Sequence, residues 1–128
     1  MNLLLDTHVF IWWAEEPERL SANAMLALQD TSNRLFLSLV SVWEIQIKTQ
    51  LGKMQLSLPL KDLVDSQLST NGLEILPITR EHIFAVDTLP FHHKDPFDRL
   101  IIAQSMIENA TIVSLDPKLS EYSVNVLW

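Results

Sequence analysis

With 128 residues, 48% of them hydrophobic and 20% charged, the chain has apolar side chains for one core, which argues against both a disordered tail and two independent domains. The absence of cysteine excludes disulfides, zinc-thiolate sites, iron-sulfur clusters and thiol chemistry, so any metal must be held by oxygen or imidazole. A formal net charge of −7 argues against a protein whose main work is coating nucleic acid, because that affinity comes from Lys and Arg meeting phosphates.

The first buried strand is expected at Leu3-Leu4-Leu5, followed by a helix at about 7–14. A helical pattern at 21–30 leads to a strand at Leu35-Phe36-Leu37 and then a helix at 40–51. A helix at 59–70, a strand at Leu73-Glu74-Ile75-Leu76 and helices at 80–88 and 96–108 follow. The chain closes with strand Thr111-Ile112-Val113, a short helix at 117–121 and strand Val124-Asn125-Val126. Pro59, Pro77 and Pro90 fall at boundaries, whereas Pro96 and Pro117 each follow an Asp and suit the first helical position, where the missing N–H costs little.

Strand and helix alternate, which favours a mostly parallel sheet with right-handed crossovers and helices on both faces. The expected architecture is α/β, a three-layer α/β/α sandwich around a roughly five-stranded sheet, formed by residues 1–128 as one domain. No apolar stretch approaches the roughly 18 residues of a membrane span, and the opening Met1-Asn2-Leu3-Leu4-Leu5-Asp6 lacks the basic region and cleavage site of a signal peptide. A cytoplasmic protein without membrane contact is expected.

Carboxylates stand at four proposed strand ends or helix starts: Asp6, Glu44, Asp95 with Asp98, and Asp116. Each has an ordinary explanation as a helix cap. Asp6 precedes a helix, Ser41-Val42-Trp43-Glu44 matches a capping box with Val40 and Ile45 as its hydrophobic staple, and Asp95-Pro96 and Asp116-Pro117 are cap-plus-proline starts. Topology gives the acids a second meaning, because in a parallel sheet strand ends and returning helix starts share the carboxyl edge, where ligands bind at the point of strand-order reversal. If the first and fourth strands are neighbours, the acids converge. Carboxylates that close repel one another, and a hard divalent cation, Mg²⁺ or Mn²⁺, resolves the conflict with oxygen ligands alone. The chemistry expected is in-line attack of a cation-activated water on phosphorus.

The segments Leu4-Leu5-Asp6-Thr7-His8, Ser41-Val42-Trp43-Glu44-Ile45, His92-His93-Lys94-Asp95-Pro96-Phe97-Asp98-Arg99 and Val113-Ser114-Leu115-Asp116 resemble those of PIN-domain proteins, and among them VapC-type toxins, over nearly the whole chain. The resemblance implies a Mg²⁺- or Mn²⁺-dependent endoribonuclease whose acids match Asp6, Glu44, Asp98 and Asp116, with Asp95 a fifth of open role. It also implies an RNA substrate, a homodimer, and a small cognate antitoxin that wraps the toxin and suits the acidic surface. Thr7 matches a hydroxyl residue commonly found beside the first acid.

Two other readings stand beside this one. A phosphomonoesterase would use Asp6 as nucleophile, but position 8, where such enzymes usually carry a second Asp, is His. A non-catalytic interaction module would use the acids only as caps. His8, His92 and His93 lack regular imidazole-ligand spacing and are expected at solvated or substrate-edge positions. Lys48 is expected to pair with Glu44 across one helical turn or to touch phosphate; Lys94 and Arg99 are similarly open. The rings of Trp12 and Trp13 cannot point the same way from one helix, so one of them is expected to meet a partner.

Overall fold

Leu3, Leu4 and Leu5 are completely buried because β1 (Asn2–Leu5) is the central strand of the sheet. The computed structural model describes residues 1–128. The remaining strands are β2 (Arg34–Ser38), β3 (Glu74–Leu76), β4 (Thr111–Val113) and β5 (Val126–Leu127), all parallel, in the order β3-β2-β1-β4-β5. Leu5 pairs with Val113 across the β1/β4 boundary, where the strand order reverses. The condition for convergence of the acids is therefore met.

Helices α1 (Thr7–Glu15), α2 (Ala22–Gln29), α3 (Leu39–Gln50), α4 (Leu60–Asn71), α5 (Arg80–Val86) and α6 (Pro96–Glu108) connect the strands, with 3₁₀ turns at Pro17–Arg19 and Pro117–Glu121. The strand pleat sends alternate residues to opposite faces. Leu3, Leu5, Leu35, Leu37 and Val113 pack on Val9 and Phe10 of α1, Ala24 and Leu28 of α2, and Leu63 and Val64 of α4. Leu4 meets Ile101 of α6 on the other face, and Ile112 packs there with Ile102, Leu119 and Tyr122. Each fully buried Leu or Ile contributes about 1.5–3 kcal/mol. These two apolar layers fix the sheet and so the positions of the loops at its carboxyl edge.

The expected elements are present, with shifted ends. The helix expected at 117–121 is 3₁₀, α5 stops at Val86, and the last strand is Val126–Leu127, not 124–126. Gly72 closes α4 with φ 64° and Asn109 closes α6 with φ 51°, left-handed conformations suited to helix termination. No helix is long and apolar enough to cross a membrane.

Candidate active site

The parallel pairing of β1 and β4 carries the chain directly into the acidic edge. The Asp6 N–H donates to the Val113 carbonyl at 3.0 Å, extending the ladder by one rung, and the Ser114 hydroxyl donates to Asp6 Oδ2 at 2.6 Å. Asp6 occupies the N-cap position of α1 without making a side-chain cap hydrogen bond, so the capping explanation does not account for it. Burial raises its pKa, against the opposing hydrogen bond from Ser114 and the charge of His8, while Glu44 pushes in the same direction as burial.

Asp98 sits in the first turn of α6, and its carboxyl is pushed up to about 7 by burial and by the charges of Asp95, Asp6 and Glu44. No hydrogen bond offsets these effects. Asp6, Asp98 and Asp116 line one small hollow, whose apolar wall is Ile101, Ile102, Ile112 and Leu119. Asp116 Oδ1 accepts the Lys118 N–H at 3.0 Å, and its Oδ2 lies 2.7 Å from His93 Nε2. Burial pushes the Asp116 carboxyl up, but the His93 and Lys118 interactions outweigh it and hold it below the usual carboxylate value.

Glu44 reaches the cluster from a different place than its sequence context suggests. Ser38, not Ser41, is the N-cap of α3, with its Oγ accepting the Val40 N–H. The helix starts three residues earlier than the capping-box reading requires, which turns Ser41, Glu44 and Ile45 into the protein. Val40 and Ile45 pack in separate core clusters and do not staple a helix start. Glu44 Oε1 accepts from the Thr7 hydroxyl at 2.8 Å, and Thr7 shares a further hydrogen bond with Ser41. Lys48 Nζ meets Glu44 Oε2 at 2.6 Å; the pairing raises the Lys48 pKa despite partial burial, as do the charges of Asp95 and Asp98. Lys48 thus puts an ammonium ion beside the acid cluster.

Asp95 makes the cap expected of it, accepting from Phe97 N and Asp98 N at 2.8 and 3.2 Å. As they stand, no three of the acids converge tightly enough to hold an ion. The donor set nevertheless fits a hard cation: it consists of carboxylate oxygens, and their mutual repulsion is expressed in the raised pKa of Asp98. A divalent ion held by these oxygens would relieve that repulsion.

Two expectations are corrected. His93 is not at a solvated edge but buried, between Asp116 and Tyr122. Arg99 is also buried and donates to the carbonyls of Val86, Leu89, Pro90 and His93, which makes it a loop clamp with no free face for phosphate. Trp12 leans on Trp128 and under Arg19, and Trp13 packs against the core, whereas Trp43 on α3 is the widely exposed tryptophan at 57%. His8 is exposed, and His92 lies 3.5 Å from Glu121. Ser114 was not singled out from the sequence. Its only signal is its place directly after β4, opposite Asp6.

A family model described as PIN domain matches residues 3–125. The chain is 30% identical to Ribonuclease VapC22 of Mycobacterium tuberculosis over 122 residues, 94% of this chain and 92% of that protein. Among solved structures it resembles VapBC2 from Rickettsia felis bound to a promoter DNA fragment, at a TM-score of 0.72, 18% identity, and coverage of 98% of this chain and 97% of that one. It also resembles VapBC-1 from nontypeable Haemophilus influenzae, at a TM-score of 0.66 and 16% identity over 98% of this chain and 96% of that one. At such identities the two structures speak for the fold alone.

Proposed function

The chain belongs to the PIN-domain family, and from that premise we propose that residues 1–128 form one nuclease domain, a divalent-metal-dependent endoribonuclease acting as the toxin of a toxin-antitoxin pair. The observation that carries the reading is the gathering of Asp6, Asp98 and Asp116 around one hollow at the β1/β4 switch point, where Asp95, Asp6 and Glu44 crowd Asp98 more than the His93 charge relieves it. A structural cap gains nothing from such repulsion, whereas a cation among the acids would offset it. The relative Ribonuclease VapC22 supports RNA as the substrate.

Asp6, Glu44, Asp98 and Asp116 are the proposed ligands, with Asp95 close enough to add charge while it caps α6. A bound Mg²⁺ or Mn²⁺ would polarise the phosphodiester and lower the pKa of an attacking water. The chain's own residues prepare the site. Ser114 fixes one Asp6 oxygen, Thr7 fixes one Glu44 oxygen, and burial with the neighbouring acids pushes the Asp98 carboxyl up to about 7, a cost that a cation held there would offset. Lys48 neutralises Glu44, and its partly exposed ammonium would be available to a substrate phosphate.

The two similar solved structures carry VapBC names, which supports a small antitoxin as partner. A net charge of −7 suits a basic one. A homodimer and a cytoplasmic location belong to the same proposal. Incubating the purified protein and its Asp6→Asn variant with mixed cellular RNA, in Mg²⁺, Mn²⁺ or EDTA, tests it. Cleavage should require both metal and Asp6. Metal-independent cleavage, or equal cleavage by the variant, would overturn the reading.

A further inference from the structure

We infer that His93 is the positioning residue for Asp116, locked in one tautomer by Tyr122 and carried on a loop clamped by Arg99. The inference rests on the reading of Asp116 as a cation ligand. Its starting point is an unusual investment of buried polar groups around a carboxylate that is itself one-third exposed.

The loop between α5 and α6 has no regular structure to hold it, yet His93 within it is only 8% exposed. Arg99, one residue after Asp98, supplies the missing framework. Its guanidinium donates to the carbonyls of Val86, Leu89, Pro90 and His93 at 2.9–3.3 Å. The helix that presents Asp98 therefore also fixes the backbone that presents His93.

The partners on the two sides of His93 assign the ring hydrogen. The backbone N–H of His93 donates to Tyr122 Oη at 2.8 Å, the Tyr122 hydroxyl keeps its own hydrogen to give to His93 Nδ1 3.0 Å away, and the ionised Asp116 carboxylate beside Nε2 can only accept. With Nδ1 accepting, the ring hydrogen lies on Nε2, which donates to Asp116 Oδ2 at 2.7 Å. The other oxygen, Oδ1, accepts the Lys118 N–H, so both carboxylate oxygens are held from different elements. A cap needs only the Lys118 contact. The His93 contact adds a fixed carboxylate plane beside the hollow shared with Asp6 and Asp98. Hydrogen-bonded partners of ligating carboxylates commonly matter 10–100-fold for metal affinity or activity.

The test measures Mn²⁺ affinity from the free-ion electron paramagnetic resonance signal, together with kcat and KM for RNA cleavage, in His93→Ala, His93→Gln and Asp116→Asn. His93→Ala should weaken Mn²⁺ binding and lower kcat about 10–100-fold with KM unchanged. His93→Gln, whose amide can donate to the same oxygen, should recover most of both. Wild-type Mn²⁺ affinity in His93→Ala would overturn the inference, as would equal losses in the Ala and Gln variants, which would mark a packing role. Nitrogen NMR of the wild-type ring provides a check that no variant's folding can spoil: hydrogen on Nε2 supports the inference and hydrogen on Nδ1 ends it. If Asp116→Asn binds Mn²⁺ and cleaves RNA like the wild type, the reading of Asp116 as ligand fails and takes the inference with it. If Asp116→Asn is impaired and His93→Ala is not, only the inference fails.

Discussion

Asp6 and Ser114 lie 108 residues apart in sequence, and the Ser114 hydroxyl donates to Asp6 Oδ2 at 2.6 Å. The contact follows from register: Leu5 is paired with Val113, so the next residue of each strand emerges side by side at the carboxyl edge. Ser114 also accepts the Asp116 N–H at 3.1 Å, so one hydroxyl ties together two of the proposed ligands. Ser114→Ala should lower metal-dependent cleavage about tenfold while the fold persists, because removing such a partner misdirects a carboxylate without opening the core. Kinetics at saturating Mn²⁺ and a circular dichroism melt measure the two effects separately; unchanged cleavage would show that Asp6 needs no orientation.

Asp98 makes stability depend on pH in a stated direction. Its folded pKa lies at about 7, above the ordinary value of 3.8, so the folded protein retains a proton that the unfolded chain gives up. Stability from this group is fully present below 3.8 and is lost as pH rises through about 7. Asp98→Asn should therefore stabilise the metal-free protein at pH 8 by about 1–2 kcal/mol, after discounting for solvent screening of a part-exposed group. At pH 4 the variant and wild type should differ little. Urea unfolding at both pH values in EDTA checks the sign.

Lys48 acts as an internal counter-ion to Glu44 at 2.6 Å. Replacing it by Met should lower metal-free stability by up to about 1 kcal/mol. The same change should tighten Mn²⁺ binding several-fold, since a positive charge that repels the incoming ion has gone. Calorimetric titration of the two proteins decides; weaker binding in Lys48→Met would mean that the ammonium is not competing with the cation.

Ser38 has two duties: it caps α3 through the Val40 N–H and donates to Oε1 of the buried Gln104. Ser38→Ala should destabilise the protein by about 1–3 kcal/mol, from the lost cap and the orphaned amide oxygen. Because α3 carries Glu44, cation affinity should fall as well. Chemical denaturation gives the first number, and a loss under 0.5 kcal/mol, roughly the scale of an ordinary surface change, would contradict it.

How much of this was legible in the sequence depended on the range of the interaction that decides each residue. Asp95 and Asp116 carry a local signal, an Asp before a Pro at a helix start, Asp98 follows in the first turn of the helix that Asp95 opens, and alternating strands and helices set them on one edge with Asp6. Ser41 and Glu44 matched a local capping pattern just as well, yet the cap belongs to Ser38, because Ser41 and Glu44 meet Thr7 more than thirty residues away. His93 was misplaced for the same reason: its partners, Asp116 and Tyr122, are 23 and 29 residues distant. Arg99 stayed open between an acid partner and a phosphate, since carbonyls supplied by a looping backbone leave no mark in residue identity.

The most direct measurement is anomalous diffraction from a crystal of the protein soaked in Mn²⁺. A peak bounded by the carboxylates of Asp6, Glu44, Asp98 and Asp116 is the predicted result, with these side chains drawn inward from their present positions. A density map with no peak in that hollow at millimolar Mn²⁺, or a peak bound elsewhere on the surface, would contradict the assignment of these acids to one cation.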